Sequence, residues 1–107
     1  GSEQANPASP TGKCTGLTTG YSLTFRGFDG EEFSRVEEYL VAFSGYDHHR
    51  PVRVGLKQVE YWYESCSDVA RLNRNLRLMA EHMGIETRID MASNRFEVDK
   101  IDEPRKR

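Results

Sequence analysis

Residues 67–84 read SDVARLNRNLRLMAEHMG, and this stretch decides the fold. Val69, Leu72, Leu76, Met79 and Met83 recur at alternating gaps of three and four, which lines them along one face of a helix. Ser65 or Ser67 is placed to cap that helix, with Asp68 in its first turn. Gly84 supplies the left-handed residue that ends it. At 100° per residue, Arg71 and Arg74 project away from the apolar stripe and Arg77 stands at its shoulder. Leu78 also projects away from the stripe, between arginines.

The segments on either side of this helix alternate with the period of two of a half-buried strand. Before it, Val59, Tyr61 and Tyr63 interleave with Glu60, Trp62 and Glu64, and Val52, Val54 and Leu56 interleave with Arg53 and Gly55. A turn near Gly55-Leu56-Lys57 makes these two runs a hairpin; one long bent strand is the competing reading. After the helix, Ile85, Thr87, Ile89 and Met91 alternate with charged residues. Ala92-Ser93-Asn94 then turns the chain into Phe96 and Val98. Further upstream, Tyr21, Leu23 and Phe25 form another strand. Asp29 and Glu32 follow as a capping box, with Phe28 and Phe33 placed for a hydrophobic staple. Phe33, Val36, Leu40 and Phe43 give a second helical stripe, so a helix is expected over about 30–44 with Gly45 at its end.

The expected order is β-α-β-β-α-β-β, and the expected class is α+β. A ferredoxin-like split βαββαβ core, an antiparallel sheet with two helices on one face, buries these stripes most economically. Residues 21–101 form one domain in this reading. Residues 1–20, rich in Pro, Ser, Thr and Gly, read as a flexible linker that begins with an expression remnant, Gly1-Ser2. Residues 102–107 read as a charged tail.

The chain has 107 residues, 30% charged and 36% hydrophobic, with a formal net charge of −2. That is the size of one domain. No apolar run reaches the roughly 20 residues of a membrane-spanning helix. A sequence pI near 5.9 argues against a DNA-coating role, which needs a strongly basic surface. The sequence contains no phosphate-binding glycine loop, GxSxG elbow, HExxH or CxxC.

The remaining candidates for chemistry are few. Cys66 sits at a helix start, where the dipole lowers a thiol pKa, and His48, His49 and His82 are conceivable partners. No third orienting group is evident. A structural cysteine, or a disulfide with Cys14, is the plainer reading. Asp47-His48-His49 contains metal-binding residue types, but adjacent strand residues point to opposite faces, so no metal site is expected there. No cofactor is expected either.

Two surfaces stand out. Arg71, Arg74 and Leu78 suit an acidic or amphipathic partner; the plainer reading is a solvated face with Arg77 paired to Glu81. Trp62 falls on the open side of the sheet if Val59, Tyr61 and Tyr63 face the core. An exposed aromatic there marks an interface, unless the tail or the last strand covers it.

Two families resemble this pattern. LTFRGF (residues 23–28) resembles the first-strand signature of the RNA-recognition motif, which stacks bases on sheet aromatics. The matching third strand, VEYWYES, departs from it by placing Glu60 and Glu64 beside Trp62. YSLTFRGF, EEFSRVEEYL, VEYWYES, SDVARLNRNLRLMAEHMGI and NRFEVDKI together resemble the small βαββαβ modules of bacterial envelope lipoproteins. These include the curli-secretion and TolB-like, flagellar accessory and ring-building types. That resemblance implies a non-enzymatic protein-interaction or assembly module in the periplasm or at the outer membrane, with a protein partner or a second copy of itself. The alternatives are an RNA-recognition-like binder of single-stranded nucleic acid and a cytoplasmic location.

Overall fold

The computed structural model describes residues 17–101. Most of the expected linker and all of the expected charged tail lie outside them. Seven elements follow one another: β1 (Thr19–Arg26), α1 (Gly30–Ala42), β2 (Tyr46–Val54), β3 (Gln58–Ser65), α2 (Val69–Met83), β4 (Thr87–Ala92) and β5 (Arg95–Lys100). The hairpin reading of residues 52–63 holds, with Gly55 N–H donating to Gln58 O at 2.7 Å across the turn. Strand β1 starts two residues before Tyr21, because Thr19 and Gly20 pair with Ser65 and Glu64.

The five strands form one sheet in the order β2-β3-β1-β5-β4. Strand β3 is antiparallel to both β1 and β2, β4 is antiparallel to β5, and β5 runs parallel to β1. The class is therefore α+β, but the sheet is mixed. The ferredoxin-like split βαββαβ order, with its wholly antiparallel sheet, does not hold. In that order the chain leaving α2 would pair with β1 directly. Here it first forms the outer strand β4, turns through Ser93 and Asn94, and returns beside β1 as β5. Burial explains the choice. Phe96 and Val98 of β5 are fully covered, whereas β4 offers only the half-buried Ile89. The more apolar arm takes the inner place.

Both helices cover the same side of this sheet. Val36 and Leu40 of α1 and Leu72, Leu76, Met79 and Met83 of α2 join Tyr21, Leu23, Phe25, Tyr61, Tyr63, Phe96 and Val98 in one core. Burying each of the large aliphatic side chains contributes about 1.5–3 kcal/mol. The rings meet edge to face, as with Phe25 and Phe28 at 5.6 Å between centroids. Among the described residues, the opposite side of the sheet carries no helix.

The helix ends follow local chemistry. Asp29 caps α1: its side chain accepts from Glu32 N–H at 2.9 Å, while Glu32 accepts from Asp29 N–H at 3.0 Å. Phe28 and Phe33 stack at 5.9 Å as the staple. The helix stops at Ala42, earlier than expected, and Phe43 is its extended C-cap. Gly45 takes its positive φ of 84° in the turn beyond. Helix α2 is capped by Asp68 rather than by Ser65 or Ser67, with the Asp68 side chain accepting from Arg71 N–H at 2.8 Å. The two serines serve the preceding turn instead. Ser65 Oγ accepts from Ser67 N–H, and Ser67 Oγ donates to Ser44 O at 2.6 Å.

Strand β2 lies at the sheet edge. Pro51 sits in it, and the register slips once between Tyr46 and His48 and again between Pro51 and Arg53. A proline and two bulges are devices that discourage an edge from pairing with another chain.

Candidate functional site

Helix α2 points its core stripe at the sheet, so its far side faces solvent. Arg71, Arg74, Arg77 and Leu78 are all exposed there, Leu78 at 43%. None of the three arginines makes an ion pair among the described residues, so the expected Arg77–Glu81 pair is not formed. Leu78 has Arg74 one turn before it and Glu81 three residues after it on the same exposed surface.

Trp62 lies on the open side of the sheet, opposite Ser22 on β1 and Arg50 on β2. It is only 36% exposed. What covers it is β1 rather than the last strand. The indole lies across Gly20, so closely that a Cβ there would fall 2.1 Å from Cζ2. Its Nε1–H donates to Glu64 Oε2 at 2.7 Å. The surrounding open face is a lattice of paired charges. Arg26 bonds Asp99 at 3.0 Å, and Arg53 lies 3.8 Å from Glu60.

The two surfaces singled out by the sequence are therefore not one site. Trp62 faces away from the helices, whereas Arg71, Arg74 and Leu78 lie on the outer surface of one of them. Comparison of the chain with protein-family models, with curated proteins and with solved structures finds no match. Its chemistry must be read from these side chains alone.

Cys66 is disulfide-bonded, and its sulfur rests 3.6 Å from Gly45 O. A disulfide sulfur has neither a proton to give nor a thiolate to attack with, so the cysteine-nucleophile reading loses its central group. Cys14, the other cysteine of the chain, lies outside the described residues.

The histidines part company. His49 turns inward beneath α1, with Nδ1 2.9 Å from Tyr46 Oη and Nε2 3.8 Å from Glu37. Tyr61 donates to the same Glu37 carboxylate at 2.9 Å. Burial first, and then that carboxylate, push the Tyr61 hydroxyl well above its ordinary pKa; burial does the same for Tyr63, which donates to Leu40 O at 3.2 Å. These phenols brace α1 against the sheet and offer no base.

His48 turns outward instead. The alternation holds for His48 and His49, but the register shift between Tyr46 and His48 sets Asp47 beside His48. As a result Asp47, His48 and Glu64 each place a ligand atom within 4.8 Å of the others. The sequence singles out Asp47 and His48; Glu64, which β3 brings opposite His48, is the member it does not supply. Pro51 in an edge strand was the available sign that β2 is not regular.

Proposed function

We propose that this domain is a non-enzymatic protein-interaction module of a bacterial envelope protein, and that the outer face of α2 docks an acidic, amphipathic segment of a protein partner. Leu78 carries the reading: a leucine left 43% exposed on a well-packed helix, one turn from Arg74 on the face that also carries Arg71 and Arg77. A partner helix or strand with one apolar side chain flanked by carboxylates would cover the leucine and neutralise the arginines together. The disulfide at Cys66 supports an oxidising compartment, as the envelope location requires. No helix among the described residues is long and apolar enough to cross a membrane, which suits an appended module. The nucleic-acid alternative finds less support. The aromatic that would stack a base is pinned on Gly20 and bonded to Glu64, with Glu60 beside it, where phosphates are repelled.

The test uses a synthetic amphipathic peptide with leucines on one face and glutamates flanking them. Titrated into the labelled domain, it is expected to shift the amide signals of Arg71, Arg74 and Leu78 and to bind more weakly as salt rises. Arg74→Glu should weaken binding about tenfold while leaving the fold intact. Shifts centred on Trp62 instead, or binding indifferent to Arg74→Glu and Leu78→Ala, would overturn the assignment.

A further inference from the structure

The geometry points to a second, separate site: Asp47, His48 and Glu64, at the β2 bulge on the open side of the sheet, form a surface site for a borderline divalent metal ion of the zinc type. It lies away from the outer face of α2, so it stands or falls independently of the docking surface.

His48 is held from both ends. Its Nδ1 lies 2.8 Å from Asp47 Oδ2, and its Nε2 lies 3.6 Å from Glu64 Oε2. The first is a hydrogen bond that fixes the ring and places the proton on Nδ1. The Nε2 lone pair then points toward Glu64, an arrangement of carboxylate, imidazole and vacant nitrogen that metal-bound histidines share. The second separation is too long for a hydrogen bond. It is close to the span of about 3.4 Å between two ligands that each sit about 2.05 Å from a tetrahedral metal.

Glu64 is prepared in the same way. Its Oε1 accepts from Thr18 Oγ1 at 3.3 Å and its Oε2 from Trp62 Nε1 at 2.7 Å, so the carboxylate is oriented by two donors from outside the cluster. Each carboxylate oxygen has a second lone pair, which leaves Oε2 able to take a cation. The ligands would be His48 Nε2 and Glu64 Oε2, with Asp47 as the positioning residue and water completing the shell. One imidazole with one carboxylate selects zinc, copper or nickel over calcium or magnesium. Two protein ligands on an exposed surface make this a weak site.

Calorimetry with Zn2+, and Cu2+ titration read by tryptophan emission, test this in the intact chain. Trp62 is the only tryptophan and bonds a proposed ligand, so bound Cu2+ should quench it. Saturable binding of one ion is expected. His48→Ala should weaken it at least about twentyfold, and Glu64→Gln and Asp47→Asn about tenfold each. His82→Ala, at the other exposed histidine, should leave it unchanged. In the unmodified protein, substoichiometric Cu2+ should broaden the ring protons of His48 and spare those of His82. No saturable binding below about 1 mM, binding that survives His48→Ala, or equal broadening of both histidines would overturn the site.

Discussion

Replacing Gly20 by alanine puts the contact between Gly20 and Trp62 to a direct test. A Cβ at this position would lie 2.1 Å from Cζ2 and 2.4 Å from Cη2 of the indole, so the ring has to leave. A tryptophan side chain offers about 250 Å2. With Trp62 36% exposed, on the order of 160 Å2 is covered. If the methyl uncovers half of that, the loss at about 25 cal/mol per Å2 is roughly 2 kcal/mol. Alanine regains about 0.5–1 kcal/mol, because Gly20 sits in ordinary extended backbone where glycine is the poorer strand residue. The net loss is about 1–1.5 kcal/mol, or roughly 6 °C in Tm for a domain of this size. The emission of Trp62 should shift to the red at the same time, since the indole gives up both its cover and its bond to Glu64. In a Trp62→Ala background the same change should stabilise, because nothing remains to be displaced. Unchanged emission in Gly20→Ala, or the same sign of effect in both backgrounds, would refute the reasoning.

Other outcomes follow from the same geometry. Leu76→Ala should lower stability in urea by about 2–5 kcal/mol, since Leu76 is fully buried between α2 and the sheet. Gly45→Ala should cost at least about 2 kcal/mol in thermal melts, because φ is 84° and a Cβ would meet Ser67 Oγ at 2.5 Å. Tyr21, Tyr46, Tyr61 and Tyr63 are all raised above their ordinary pKa, chiefly by burial. The unfolded chain therefore gives up these protons first. Stability should be intact below about pH 10 and fall as pH rises beyond it, with phenolate absorbance appearing together with unfolding. Reducing agent should lower the Tm by an amount worth about 2–4 kcal/mol, and an unreduced digest should recover Cys66 linked to Cys14.

The elements were legible in the sequence wherever a stripe or an alternation was unbroken, as in Val69 to Met83 and Val59 to Tyr63. The same alternation ties the side of Trp62 to that of Val59, Tyr61 and Tyr63, and their burial puts it on the open side. Topology was less legible. Ile89 and Met91 alternate as well as Phe96 and Val98 do, and period alone does not say which arm of a hairpin lies inside. Caps were legible to within a residue or two, since Ser65, Ser67 and Asp68 all carry capping oxygens and only the turn geometry chooses among them. The grouping of Asp47, His48 and Glu64 was only half legible: Asp47 and His48 are adjacent in sequence, but the pairing of His48 with Glu64 depends on the register of β2 on β3, which a bulge shifts. The cover over Trp62 was hidden because glycine has no side chain to signal contact, although a glycine inside a strand is itself a hint of close approach.

The parallel pairing of β1 with β5 has a mechanical consequence. These neighbours are the first and last strands of the described segment, running in the same direction from Ser22 opposite Arg95 to Arg26 opposite Asp99. Tension applied through the two ends of that segment would pull β1 and β5 past each other along their length. The rungs between them would be strained together rather than torn one at a time. A module wired in this way resists stretching far better than its modest core suggests, and it should yield in a single abrupt step.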